Sequence, residues 1–320
     1  MALDPVVVCL GEALIDRLGP PGGDPAVDRP VDDRLGGAPA NVACGLARLG
    51  TPVAFAGRLG RDAIGEAFVR LFAERGVETT LLQLNAERPS RIVLVRRSSD
   101  GERQFQGFAG DDGAGFADQA LEPLSLPPAR WLLIGTLPLA SPSSASALLS
   151  AVRQARSQGT AIALDVNWRP TFWDATADPE AGPSAAAKAA IQSLLDQAAL
   201  IKLAREEALW FFNTDDPGAI QQALPQQPDV VVTDGAAPVR WQLGADSGQQ
   251  AAFQSPTVVD TTGAGDAFTA GLLHRWAAAP QERVRFAAAC GALVCSGAGG
   301  IDPQPTQAQV MQCLERWCRE

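Results

Sequence analysis

The sequence predicts an α/β chain: a doubly wound, mostly parallel sheet with helices on both faces and a small β-sheet inserted as a lid. Three observations carry that expectation. Apolar runs of four to six residues recur at 6–10, 53–56, 131–134, 161–164, 200–203 and 230–233, the length and character of strands buried on both faces. Longer stretches rich in Ala, Leu, Arg and Gln lie between them, at 40–49, 63–76, 143–159 and 184–199, and that alternation is the pattern of a parallel sheet with crossover helices. Gly76 and Gly159 fall where helix C-caps belong.

Taken in order, run 6–10 has no positive flank and stops at Gly11-Glu12, so it reads as a buried strand rather than a signal peptide. Region 17–35, rich in Gly, Pro and Asp, breaks the rhythm. So does 88–110, where Arg91-Ile92-Val93-Leu94-Val95-Arg96 and Arg103-Gln104-Phe105-Gln106-Gly107-Phe108 flank a turn at 98–101. That pattern reads as a β-hairpin exposed on one face. Segment 175–184 reads as an irregular loop, and the last third as helices over 265–278, 281–296 and 306–319. With 320 residues and no separating linker, the expectation is a single domain over 1–320, with lid insertions at approximately 12–36 and 88–110.

Composition removes several functions. A net charge of −10 gains nothing from a nucleic-acid backbone. No run of 18 or more apolar residues exists, so no membrane-spanning helix is expected. His274 is the only histidine, which removes multi-His zinc sites and HExxH chemistry. On the helix expected over 265–278 it reads as a packing or capping residue. The six cysteines form no CxxC and read as reduced thiols of a cytoplasmic protein.

The strongest chemical motif is Asp260-Thr261-Thr262-Gly263-Ala264-Gly265-Asp266-Ala267-Phe268. Its glycines let the backbone turn sharply before a helix. The first helical turn then offers unpaired N–H groups and a positive dipole end to an anion. Asp266 sits in that field either as a helix cap or as a base beside a developing oxyanion. No GK[ST] follows, and Phe268 stands where the dinucleotide motif needs its third glycine.

With these residues in view, the chain resembles the PfkB, or ribokinase-like, carbohydrate kinases. A second signature of that family is resembled by Gly36-Gly37-Ala38-Pro39-Ala40-Asn41 through Gly50 and by Gly57-Arg58-Leu59-Gly60-Arg61-Asp62 through Gly65. The resemblance spans nearly the whole chain and implies the ribokinase-like fold. It also implies ATP and Mg2+ as cofactors, with K+ in those members that use it. Asp266 matches the catalytic base, and Gly263, Ala264 and Gly265 match the anion hole. Asp16, Gly36, Gly37 and Asn41 match sugar-binding positions, while Asp260 and Thr262 resemble residues that support a monovalent cation.

Three segments resemble fructokinases in particular. They are Gly11-Glu12-Ala13-Leu14-Ile15-Asp16, the run from Asp165 through Asn167 and Arg169 to Trp173, and the lid segment around Phe105. They imply fructose as substrate and fructose 6-phosphate as product, with Phe105, Asn167 and Arg169 in the sugar site. Lys202, Thr233 and Gly235 match nucleotide-binding positions, and Glu207 matches a residue that orients Mg2+ through water. Ala204 replaces the usual Asn or Ser, and Pro238 stands near a usual Gly. Against this stand a related kinase of ribose or 2-keto-3-deoxygluconate, and a non-catalytic sugar-sensing relative. Some relatives pair through the lid, so a homodimer there is a further expectation.

Overall fold

Strand β1 (Val7–Leu10) sends alternate side chains to opposite faces of a sheet. Val7 and Cys9 enter one apolar core, Val8 and Leu10 another. This period of two, with every residue apolar, is what a strand covered by helices on both sides requires. The chain is seen in a computed structural model that describes residues 6–97, 103–253 and 257–317.

After β1 come β2 (Leu14–Leu18), β3 (Asp32–Gly36), α1 (Ala38–Leu49), β4 (Val53–Gly60), α2 (Ala63–Arg75) and β5 (Leu82–Asn85). The hairpin strands β6 (Ile92–Arg97) and β7 (Arg103–Ala109) follow, then β8 (Trp131–Ile134), α3 (Pro142–Ser157) and β9 (Ala161–Asp165). The chain continues through α4 (Pro170–Trp173), α5 (Ala185–Leu195), β10 (Leu200–Ala204), α6 (Arg205–Phe212) and α7 (Pro217–Ala223). It then runs through β11 (Asp229–Thr233), β12 (Val239–Leu243), β13 (Asp246–Gln250), α8 (Ala264–His274), α9 (Pro280–Val294) and α10 (Gln307–Trp317).

The large sheet has nine strands in the order β13-β12-β11-β10-β9-β8-β1-β4-β5. It is parallel from β5 to β11, and β12 and β13 add an antiparallel edge. Helices α1, α2, α8, α9 and α10 contribute to the core on one face, and α3, α5, α6 and α7 to the core on the other. Strands β3-β2-β6-β7 form a second, four-stranded sheet.

The expected strands and helices are present with ends shifted by a few residues. Gly76 (φ 75) and Gly159 (φ 77) both take the left-handed conformation after their helices. The hairpin at β6 and β7 is present, and its turn at 98–101 lies outside the described residues, as does the end of the last helix at 318–319. Strands β2 and β3 flank the Gly/Pro-rich segment as an antiparallel pair. β13 carries no aliphatic or aromatic side chain and exists through its ladder to β12, so periodicity could not announce it.

Asp62 fixes one junction. Its Oδ1 accepts from Gly65 N at 2.9 Å, capping α2, and from Ser90 Oγ at 2.9 Å. Its Oδ2 accepts from Ser90 N at 2.7 Å, which ties the chain just before β6 to the end of β4. His274 lies at the far end of α8, with Nδ1 2.7 Å from Thr51 Oγ1 and its ring against Phe286, a packing position.

Candidate active site

A cavity of about 700 Å3 lies along the carboxyl ends of the large sheet's strands. β1 has β4 on one side and β8 on the other. The strand order therefore reverses at β1, and open α/β sheets bind ligands at such a switch point.

The loop before α8 builds one end of the cavity. Gly263 has φ 76, and a Cβ there would lie 2.5 Å from Gly300 Cα, so only glycine lets the two chains pass. Ala264 N donates to Thr261 O at 3.2 Å, and Ala267 N closes the first helical bond on Gly263 O at 2.8 Å. The amides of Gly265 and Asp266 then have no acceptor within the helix and stand at its positive end. Asp260 lies beneath the loop rather than on the cavity wall. Its Oδ1 accepts from Thr262 N at 2.9 Å and its Oδ2 from Gly299 N at 2.7 Å, which holds the loop's shape.

Asp266 faces this cavity from the first turn of α8. Its Oδ2 accepts from Asn41 Nδ2 at 2.7 Å. Burial pushes its carboxyl up to about 6, and repulsion from Asp165 adds to that; the Asn41 bond, Lys202 and Arg169 pull the other way. Such a group is ionised at neutral pH and still basic enough to accept a proton from an alcohol as it reacts. Asn41 is itself held, because Gln304 Nε2 donates to Asn41 O at 2.8 Å and to Gly300 O at 2.6 Å.

Lys202 reaches in from β10. Its Nζ bonds both oxygens of Asp165 at 3.1 Å. Asp165 Oδ2 also accepts from Thr269 Oγ1 at 3.1 Å, one turn beyond Asp266. A Cβ on Gly265 would come within 2.9 Å of Lys202 Nζ, so the ammonium stands against the amide loop. Burial opposes its charge, but Asp165, Glu207 and Asp266 together hold its pKa above the ordinary lysine value. With a side chain only 12% exposed, it is not a strand-end surface lysine. Glu207 is buried. Its Oε1 accepts from Trp168 N at 2.6 Å and its Oε2 from Ala204 N at 2.7 Å, so it caps α6 and fixes the segment carrying Asn167 and Arg169. Burial raises its pKa against the pull of Lys202.

At the other end of the cavity the wall is made by Asp16, Gly37, Asn41, Phe105, Asn167 and Arg169. Asn167 holds a left-handed φ of 42. Arg169 Nη1 donates to Trp168 O at 2.9 Å. Gly36 lies behind Asp16, where a Cβ would meet Oδ2 at 2.9 Å, so it makes room rather than wall. Leu14, Val93 and Val95 join from the small sheet. Thr233, Gly235 and Thr262 line the cavity too.

The candidate residues converge on one cavity, with Gly36 and Asp260 one layer behind. Glu12, Asp165, Thr269 and Gln304 are participants to which sequence reasoning gave no role. Glu12 and Asp165 carried a signal, each being an acid at the carboxyl end of a buried apolar run.

A carboxylate that bonds Asn41, beside amides and an ammonium suited to a phosphoryl group, at the switch point of a doubly wound sheet, fits a phosphotransferase acting on an alcohol. A model of the pfkB family carbohydrate kinases matches residues 4–307, and the chain belongs to that family. It is 33% identical to a fructokinase of Klebsiella pneumoniae, over 95% of this chain and 98% of that one. It is 29% identical to fructokinase-1 of Oryza sativa subsp. japonica, over 97% and 98% respectively. A solved fructokinase of Xylella fastidiosa with bound ATP superposes with a TM-score of 0.83 at 29% identity, covering 98% of each chain. A double mutant of the Vibrio cholerae O395 fructokinase, with fructose, ADP and potassium ion bound, has a TM-score of 0.80 at 27% identity, over 97% of this chain and 99% of that one.

Proposed function

We propose that this chain transfers the γ-phosphoryl group of ATP to the 6-hydroxyl of fructose, giving fructose 6-phosphate and ADP. The observation that carries the reading is Asp266, held by Asn41 and facing the cavity beside the first-turn amides of α8. The sugar oxygen forms its bond to phosphorus as the bond to the ADP oxygen breaks, and the hydroxyl proton passes to the Asp266 carboxylate. The amides of Gly265 and Asp266, with Lys202 Nζ, oppose charge on the moving phosphoryl group. Gly263 and Ala264 set the direction of those amides.

Asp16, Gly37, Asn41, Asn167 and Arg169 orient the sugar, with Gly36 giving Asp16 its space. The small sheet acts as the lid: Phe105, Leu14, Val93 and Val95 cover the sugar and keep water from the phosphoryl group. Thr233 and Gly235 flank the nucleotide. Magnesium held by the nucleotide phosphates would supply charge neutralisation, and Glu207, on the cavity wall, would orient it through water. In the same reading Asp260 and Thr262 would support a potassium ion, Asp260 by holding the shape of the loop. The lid's open face is where a second copy would pair. A reducing cytoplasmic compartment suits the five described cysteines, which are free thiols.

A coupled ADP-release assay across fructose, ribose, mannose and ketodeoxygluconate tests this. Fructose should give the highest kcat/KM. Fructose-independent ADP release, or a clear preference for another sugar, would overturn the substrate assignment.

A further inference from the structure

One buried acid in the cavity wall has no part in the transfer. Glu12 lies two residues beyond β1 and is 4% exposed. It lines both the main cavity and a smaller, more closed one of about 20 Å3. Its Oε1 accepts from Ala38 N, the first residue of α1, at 3.1 Å. Its Oε2 is buried and has no hydrogen-bond partner within the protein.

The cations on the smaller cavity's wall each hold another partner, though Arg58 Nε is buried without one. Arg91 is bidentate with Asp118 at 2.8 and 3.0 Å and lies against the rings of Phe108, Phe116 and Phe172. Arg58 pairs with Glu122 at 2.7 Å and Ala120 O at 2.6 Å. Burial pushes the Glu12 carboxyl up to about 8; two backbone amides, its own and that of Ala38, resist the shift, and repulsion from Asp118 and Asp266 adds to it. A buried carboxyl with one oxygen left unpartnered favours its neutral, protonated form. A neutral carboxyl that accepts through one oxygen offers an O–H at the other.

We propose that Glu12 is a further sugar-binding residue that sets specificity: a neutral carboxylic acid whose Oε1 holds the start of α1 and whose Oε2–H donates to a hydroxyl oxygen of the bound sugar. The inference rests on the sugar-kinase reading. It gives a use to a buried carboxyl oxygen that has no partner within the protein. A buried donor aimed at one hydroxyl rejects an analogue that lacks it, because the donor is then left unpaired. The smaller cavity has room for one water, so a water satisfying Oε2 is the competing outcome.

The test compares wild type, Glu12→Met and Glu12→Gln on fructose and on deoxyfructoses that each lack one hydroxyl other than the sixth. Wild type should penalise one analogue about 10- to 100-fold in kcat/KM. Glu12→Met should raise the fructose KM by a similar factor, leave the KM for ATP in place, and erase the penalty for that analogue. Glu12→Gln keeps an acceptor and a donor and should recover most of the loss. If Glu12→Met preserves the wild-type ranking of analogues, Oε2 serves only a water and the proposal fails. If Glu12→Gln loses as much as Glu12→Met, the group works as a charged carboxylate and the proposal also fails. Should Glu12→Met turn over too slowly to rank, melting shifts decide. Loss of the fructose-induced shift with a normal shift for a non-hydrolysable ATP analogue supports the assignment, and any other pattern overturns it. Failure of wild type to phosphorylate fructose strikes the substrate reading instead, and the same contrast is then run on deoxy analogues of the sugar that does turn over.

Discussion

At one end of the cavity the groups suited to recognition are main-chain amides, those of Gly265 and Asp266, exposed by the turn at Gly263. At the other end they are side chains brought from separate elements: Asp16 from β2, Asn41 from α1, and Asn167 and Arg169 from the segment after β9. The two ends answer to different physics. Amides need only the right backbone path, and glycine provides it. Side chains need their protonation state and aim set by burial and by neighbours distant in sequence. The same contrast divides phosphoryl transfer, common to many acceptors, from recognition of one acceptor.

The largest effect expected lies where the ends meet. Asp266→Asn should lower kcat by about 10²- to 10⁴-fold with ligand affinity retained, and near-normal turnover would dissolve the distinction between base and wall. Wild-type kcat/KM for the sugar should rise with pH through a midpoint near 6, because burial raises the Asp266 pKa and only the ionised carboxyl accepts the proton, and should fall again near 8 as Glu12 loses the proton it offers the sugar. A flat profile between pH 5 and 8, measured with buffers of constant ionic strength, would remove that assignment.

On the backbone side, Gly263→Ala forces a methyl group toward Gly300 Cα at a positive φ. It should lower stability by about 1–3 kcal/mol, seen as a depressed melting temperature, together with weaker nucleotide binding. Lys202→Met should lower kcat/KM for ATP by roughly 10- to 150-fold, partly through kcat, and leave the KM for sugar nearly alone, since one charge-assisted contact is worth about 1.5–3 kcal/mol; an equal rise in the sugar KM would place the ammonium between the ends. The smallest effect belongs to a residue at neither end. Asp62→Ala removes a helix cap and the tie to Ser90, and should cost about 1 kcal/mol by chemical denaturation with little change in kcat.

The same contrast governs what could be read before coordinates. The anion loop was visible because Gly-Ala-Gly-Asp before a helix has one evident use. The large parallel sheet was visible because every residue of β1, β8 and most of β9 is apolar. Short elements were not: β13 is polar throughout, and α6 and α7 have too few turns to show a period. Glu12 stood in plain view, yet its state depends first on burial by the folded chain and then on Asp118 and Asp266, over a hundred positions away. Asp165 likewise acquires meaning only when β9, β10 and α8 place Lys202 and Thr269 beside it.

The back-to-back glycines reach further than the loop they shape. A Cβ at Gly300 would lie 2.6 Å from Asn41 Nδ2, the atom that steadies Asp266. A methyl group there would push on the amide before it touched any reactant. Positions 41, 263 and 300 therefore form one packed unit, and a side chain added at either glycine is transmitted toward Asp266.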